Sequence, residues 1–296
     1  MKEEKQLTQS ARDYAVYVGD VAHDEYYRTP RWPSVADKVE VQTLEAIPGG
    51  MIANAACVYA ALGNQVKFCT VLRHSPITEL LLKDLEASGV DVSMTIYDDT
   101  LPDSKTMIFL CGEEHTIFIP TLHVYTIDFT PEQFEVLKGA KYLYSTVGYL
   151  NCITCEGKRW KERAPVLRAH GVKVVVDYDV DYERNGDTER FRNVDIGFFN
   201  ETGFDSIRQG KSYEDAARML QSLGMQTVVV TLAERGCEIY SGEAVYKLPA
   251  HKTQVVDVTG AGDTFCCSFI SQLDEMGAEQ AGRFANAAAS LCVSKL

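Results

Sequence analysis

Short apolar runs rich in β-branched and aromatic residues alternate along this chain with longer amphipathic stretches, and the two patterns predict strands and helices in turn. Tyr14-Ala-Val-Tyr-Val-Gly-Asp20 is the first such run, closed by Gly and Asp as expected of a buried strand that delivers its end to a site. Gly49-Gly50 opens an Ala-rich run over 51–62, whose helix formers stop at Gly63 in the manner of a C′ glycine. The pattern then repeats as strand 66–72 and helix 77–88, with Gly89 beyond it. Thr130-Pro-Glu-Gln133 combines a capping residue, a proline at N1 and Gln at N3, which predicts a helix running to about Lys138. Strands at 142–145, 172–177, 196–200 and 227–231 and helices near 160–169 and 212–223 follow. Alternation of this kind predicts an α/β fold in which a mostly parallel sheet is covered on both faces.

Two stretches break the alternation. Residues 26–48 are rich in proline and charge, and within them Lys38-Val-Glu-Val-Gln42 alternates at period two, which predicts an exposed strand. Ser104-Lys-Thr-Met-Ile-Phe-Leu110 and His115-Thr-Ile-Phe-Ile119 flank a Gly-containing turn and predict a hairpin. Both pieces are antiparallel in character, so they are expected to form one small accessory sheet. Its natural place is a lid over the C-terminal edge of the main sheet, where open α/β sheets bind ligands. The expected organisation is one domain over 1–296 with lid segments at about 21–48 and 95–125.

Composition narrows the partners. A net charge of −13 argues against nucleic acid or an anionic membrane surface, both of which need clustered Lys and Arg, and leaves a small diffusible ligand. Nine cysteines without a framework spacing point to reduced thiols in a cytoplasmic protein, and the lone Cys152-Ile-Thr-Cys155 lacks the second pair that a zinc site requires. The charged N-terminus leads into no apolar segment, and no run approaches a membrane span.

The candidate chemistry lies near the C-terminal end. After Gln254-Val-Val-Asp257, which predicts a strand end, the chain continues Val258-Thr-Gly-Ala-Gly-Asp263 and then becomes apolar on a helical period. Small residues at a strand-to-helix junction let backbone N–H groups approach a phosphate closely, and the helix N-terminus adds partial positive charge. Asp263, in the first turn, is placed to take the proton of a hydroxyl attacking a γ-phosphate in line. The alternative is a tight turn in which Asp263 only complements the helix dipole. The phosphate loop GxxxxGK[ST] is absent, and the turn does not match the dinucleotide fingerprint GxGxxG.

Taken together, these motifs resemble the ribokinase-like (PfkB) family of carbohydrate and nucleoside kinases over nearly the whole chain. The C-terminal signature DTxGAGD is matched by Asp257-Val-Thr-Gly-Ala-Gly-Asp263, and the N-terminal signature by Gly49-Gly50, Asn54-Ala-Ala56 and Leu62-Gly63. The resemblance implies a three-layer αβα fold with a small β lid, and ATP, Mg²⁺ and in some members a monovalent cation such as K⁺ as cofactors. It implies Asp263 as catalytic base, with the backbone of Gly260, Ala261 and Gly262 as anion hole. Asp20, Gly49, Gly50 and Asn54 resemble the substrate wall. Asp20 is otherwise a turn residue, and Asn54 a polar position on a helix face. Val228-Val-Val-Thr-Leu-Ala-Glu-Arg-Gly236 resembles a nucleotide segment, with Thr231 placed toward phosphate and Gly236 toward the nucleotide; Asn200, Thr259 and Asn286 complete the nucleotide-side candidates.

Three departures stand out. The NxxE motif, whose Glu helps organise Mg²⁺, appears as Asn200-Glu-Thr-Gly203, which leaves Asp177 or Asp257 as substitute metal-side acids. VTLG has become VTLA, with Ala233 where a glycine lets backbone pass close to the nucleotide. Family members usually continue beyond the helix that includes Asn286, so the end at Leu296 implies a trimmed chain or a partly open nucleotide pocket. The acceptor stays open between a sugar, an acidic sugar and a nucleoside. Tyr26, Tyr27, Trp32, Phe118 and Tyr125 offer stacking or plain lid packing, and Arg28 and Arg31 offer anion contacts or solvated charge. His115 and His123 carry no expected role. Asp177-Tyr-Asp-Val-Asp181 departs from the DxNxR of the fructokinase and ketodeoxygluconate kinase branches. A sugar-binding regulatory protein with weakened kinase activity is the other class of reading, and a homodimer through the lid edges is the expected assembly.

Overall fold

The computed structural model describes residues 13–112, 114–122, 124–178 and 188–294; His123, Asp179, Asp181 and Leu296 lie outside them. The chain opens with β1 (Tyr14–Val18), β2 (Ala22–Arg28), β3 (Gln42–Thr43), β4 (Ile47–Gly49) and helix α1 (Met51–Ala61). Next come β5 (Gln65–Cys69), β6 (Val71–Leu72), α2 (Pro76–Ala87), β7 (Ile96–Tyr97) and the hairpin β8 (Lys105–Cys111) and β9 (Glu114–Phe118). The middle runs through β10 (Ile127–Phe129), α3 (Pro131–Gly139), β11 (Tyr142–Ser145), α4 (Val147–Cys152), β12 (Ile153–Cys155), β13 (Lys158–Arg159), α5 (Trp160–Ala169) and β14 (Lys173–Asp177). It closes with β15 (Ile196–Asn200), α6 (Glu201–Arg208), α7 (Tyr213–Ser222), β16 (Thr227–Thr231), β17 (Cys237–Ser241), β18 (Ala244–Leu248) and α8 (Ala261–Cys292).

Eight of these strands form the main sheet, in the order β18-β17-β16-β15-β14-β11-β1-β5. Pairing is parallel from β5 through β16 and antiparallel at β16–β17–β18. Alternate residues of each strand go to opposite faces. Val16, Val18, Leu143 and Val176 pack against Leu137 of α3, Leu167 of α5 and Leu220 of α7. Ala15, Tyr17, Tyr144 and Phe198 pack against Ile52 and Tyr59 of α1, Leu81 of α2 and Phe269 of α8. Burial on both faces explains why these strands are continuous apolar runs. The Thr130 cap forms as expected, its side chain accepting from Gln133 N while Gln133 reaches back to the Thr130 N–H.

The accessory sheet also forms, in the order β3-β2-β8-β9 with β4 beside β2, but its composition differs from expectation in two ways. Residues 38–41 are not a strand; only Gln42–Thr43 pairs, against Tyr27 and Arg28. The central strand is instead β2, which pairs in parallel with β8. His-Asp-Glu-Tyr-Tyr-Arg is polar on both faces of a pleat, so no alternation marks it as a strand, and its partner β8 lies some eighty residues away. The expected strand end at Gln254-Val-Val-Asp257 is likewise an exposed loop, because no strand neighbours it. All nine cysteines are free thiols, and no described helix is long and apolar enough to cross a membrane.

Candidate active site

The C-terminal ends of the parallel strands gather most of the candidates along one edge. Asp177 ends β14, Asn200 ends β15 and Thr231 ends β16, and Asn200 stands directly beside Thr231 in register. The glycine turn arrives at this edge from an exposed loop rather than a strand. α8 breaks at Gly277, whose φ of 75° and ψ of 168° are not helical, and Val256 and Asp257 donate their N–H groups to the Val293 carbonyl at 2.8 and 3.3 Å, so the end of its second half holds the loop that leads into its first. Asp257 Oδ1 accepts from Thr259 N and Thr259 Oγ1, each at 2.9 Å, and these bonds hold its carboxyl below the ordinary carboxylate value. Gly260 caps α8 in the left-handed region, φ 73°. Space is open around it, since a Cβ added at Gly260 or Gly262 would meet nothing within 4 Å. The first N–H groups of a helix have no intrahelical acceptor and carry partial positive charge. An open, glycine-lined helix N-terminus with half-buried Asp263 in its first turn is thus a cradle for an anion next to a carboxylate.

One turn further along α8, the helix packs against α1. Cys267 Sγ donates to the Ala55 carbonyl at 3.0 Å and lies 3.4 Å from the Tyr17 hydroxyl. This contact brings the two glycine motifs side by side although more than two hundred residues separate them. Beneath Asp263, Tyr144 OH donates to Asp177 Oδ2 at 3.2 Å and Cys266 Sγ approaches the same oxygen at 3.7 Å. Burial pushes the Tyr144 hydroxyl and the Cys266 thiol far up, with the nearby Asp177 and Asp263 carboxylates adding to it, so both stay protonated as donors.

At Gly49-Gly50 the structure separates two acids. Asp20 Oδ2 accepts from Met51 N at 2.8 Å and Oδ1 from Ile52 N at 3.4 Å, so this carboxylate caps α1. Burial raises its pKa, and these N–H bonds oppose the rise. Gly50 sits at φ 105° with Val21 Cα 2.7 Å and the Asp20 carbonyl 2.9 Å from any added Cβ, a position only glycine fills without strain. Asp24, half-buried on β2, is the acid that sequence reasoning missed. Its Oδ2 lies where a Cβ on Gly49 would stand, and burial is the main cause raising its carboxyl, with the Thr106 hydroxyl lowering it and the Asp20 charge raising it. The available signal was an acid four residues after Asp20, legible only once 22–28 is known to be a strand. Asn54 lines a small cleft with Val21, Pro48, Gly49, Asp84 and Leu85.

On the nucleotide side the candidates divide. Asn200 Oδ1 caps α6 by accepting from Gly203 N at 2.7 Å, and Thr231 Oγ1 reaches the Phe199 carbonyl at 3.4 Å. Glu201, two residues before the expected acid position, pairs with Arg235. Gly236 and Asn286 are both buried and both engage the backbone of 248–250. Gly236 abuts 248–250. Asn286, 5% exposed, donates from Nδ2 to the Leu248 and Pro249 carbonyls at 3.3 and 3.2 Å. Ala233 occupies φ 49°, the left-handed region disfavoured for a side chain. Ala233→Gly is therefore expected to stabilise the protein by on the order of 0.5 to 1 kcal/mol, read as a higher urea midpoint at unchanged slope; an unchanged midpoint would show that the turn carries no strain.

Among the described residues no three His, Cys, Asp or Glu side chains gather at metal-ligating distance. Gly203 stands where the acid is missing, and one Asp257 oxygen is already spent on Thr259. Among the described residues there is thus no cage of side chains that would hold a metal without water or phosphate oxygens. A phosphate does fit the open turn at 260–262.

Known proteins share this fold. Residues 12–296 match the pfkB family carbohydrate kinase description, and the chain belongs to that family. It is 24% identical over 291 residues to the ribokinase of Staphylococcus aureus, covering 95% of this chain and 93% of that one. It is 26% identical over 293 residues to the bifunctional protein HldE of Shewanella amazonensis, covering 94% of this chain but 60% of HldE. Its fold superposes on Arabidopsis thaliana ribokinase, solved with ribose and ATP, with a TM-score of 0.83 at 24% identity, covering 96% and 93% of the two chains. Members of the family are ATP-dependent sugar and nucleoside kinases.

Proposed function

We propose that this protein transfers the γ-phosphate of ATP to a hydroxymethyl group of a sugar or sugar-like small molecule, with Asp263 as general base. The observation that carries the reading is the half-buried carboxylate of Asp263 in the first turn of α8, beside the open turn at 260–262. ATP supplies the phosphoryl group, and Asn200, Thr231 and Thr259 stand on its side of the edge. Asp263 takes the proton as the acceptor oxygen attacks, and the N–H groups of the turn offset the charge that develops on the transferring group. Asp20 keeps the Gly49-Gly50 turn in place through its bonds to Met51 and Ile52. Asp24 then accepts the acceptor's hydroxyls, a task suited to a carboxylate, whose two oxygens carry several acceptor sites. The accessory sheet, from segments 21–48 and 95–125 of a single domain, is the lid that excludes water over this space.

A coupled ATP-consumption assay across neutral sugars, acidic sugars and ribonucleosides tests the reading, with phosphorylated product from at least one acceptor as the expected result. Ligand binding without turnover of any acceptor would overturn it in favour of a sugar-binding regulatory protein. Asp24→Asn should raise the acceptor KM by about 10- to 100-fold while kcat stays within about threefold, because a charge-assisted hydrogen bond is lost in the ground and transition states alike. An unchanged KM would remove Asp24 from the acceptor site.

A further inference from the structure

Asp24 has a partner on the opposite strand of the lid. The parallel register of β2 and β8 places Thr106 directly across from it, on the same face of the pleat. Thr106 is 9% exposed, and its hydroxyl faces the Asp24 carboxylate. Gly49 closes another side of that carboxylate, since an added Cβ there would overlap Asp24 Oδ2. The acid is thereby confined by two strands of the accessory sheet, β4 at the entrance to α1 and β8 of the lid hairpin. Building on the reading of Asp24 as the acceptor's hydroxyl-binding acid, we infer that Thr106 is a positioning residue, which holds the Asp24 carboxylate in the orientation and charge state that binds the acceptor.

The physical reason is the half-buried setting of Asp24. An ionised carboxyl accepts strongly from hydroxyls at both oxygens, whereas a protonated one turns one oxygen into a donor, and burial works against ionisation. The Asp20 carboxylate adds like charge, while Thr106 and His23 favour the charged form. Tyr26, two residues along β2 on the same face, has its hydroxyl pushed up by burial and by the Asp24 and Asp257 charges and so stays neutral, and the other charges around β2 are engaged or set apart. Lys105, beside Thr106 but on the opposite face, bonds Glu25 at 2.8 Å, and Asp84 of α2 lies across the small cleft at Gly49. β4 presents only Gly49, Pro48 and Ile47 to β2. Thr106 is thus the neutral donor that reaches this acid from the lid, and it ties acceptor affinity to the placement of β8.

The sign follows from the charge preference. Removing a donor that favours the ionised form raises the Asp24 pKa, so the acid-side fall of 1/KM for the acceptor moves to higher pH. Thr106→Val, which keeps the shape and loses the hydroxyl, is expected to raise the acceptor KM by about 3- to 10-fold at neutral pH, with kcat and the KM for ATP unchanged. The acidic limb of the pH profile of 1/KM should shift upward. Thr106→Ser, which retains the hydroxyl, should return both to the parent values, a rescue that a merely structural loss of packing would not give. If Thr106→Val fails to fold, Thr106→Ala measured against Thr106→Ser carries the same comparison. Should Asp24→Asn raise the acceptor KM while Thr106→Val moves neither KM nor the acidic limb, the inference about Thr106 is overturned and Asp24 stands. If Asp24→Asn leaves KM unchanged, both fall.

Discussion

Asp263→Asn is expected to lower kcat by about 10²- to 10⁴-fold with little change in the KM for either substrate, the range by which a positioned general base accelerates proton transfer. Asn has nearly the shape of Asp and can still accept a hydrogen bond from the attacking hydroxyl, so binding survives. It cannot take the proton, so the chemical step does not. The side chain sits half-buried in the first turn of α8, where its charge also complements the helix dipole. That second role is worth about 0.3 to 1 kcal/mol, so the melting temperature should fall only slightly. The two roles therefore separate in one variant: a large loss of kcat in a folded protein identifies the base, whereas kcat within about threefold of the parent would leave Asp263 with the helix dipole alone.

Gly236→Ala should be the most destabilising of the conservative substitutions considered, at about 3 to 5 kcal/mol, and the mechanism lies wholly in the backbone. Gly236 adopts φ 97°, ψ −126°, a combination essentially reserved for glycine. A Cβ there would overlap the Leu248 carbonyl oxygen and lie 2.6 Å from Ala250 N and 2.7 Å from Pro249 C. None of these atoms can swing aside as a flexible side chain would. Moving 248–250 would also strip the buried Asn286 amide of both its carbonyl partners, leaving unsatisfied donors in the core. Since 248–250 leads into the loop that ends in the glycine turn, the variant should lose activity together with stability. Urea denaturation measures the first effect. A midpoint unchanged from the parent at equal slope would mean that this close approach does not constrain the turn.

Much of the main sheet was legible because its strands are buried on both faces. Tyr142–Ser145, Ile196–Asn200 and Thr227–Thr231 have the bounds that their apolar runs predict, and α5 spans the predicted 160–169. Local chemistry was equally readable at the Thr130 cap, where every participant lies within four residues. Legibility failed where a partner is distant. Strand β2 has polar residues on both faces and becomes a strand through pairing with β3, β4 and the distant β8, so Asp24 carried no visible sign of its place. At 254–257 the failure went the other way: β-branched residues predicted a strand, but without a neighbouring strand to pair with they remain an exposed loop.

The same division runs through the candidate site. By itself the sequence determined that Gly260, Ala261 and Gly262 precede an acid at the start of a helix, because turn chemistry and helical period are properties of adjacent residues. It likewise marked Gly49-Gly50 as a turn before a helix. Only the tertiary structure decided which contacts each acid makes around that turn. Asp20 spends its oxygens on the N–H groups of α1, and Asp24 stands over Gly49, held between two strands that meet far apart in the chain. It also decided that Asn286 and Gly236 secure one another's backbone at 248–250. Hydrogen-bond partners and close backbone approaches are set by packing, and packing joins residues that no local pattern connects.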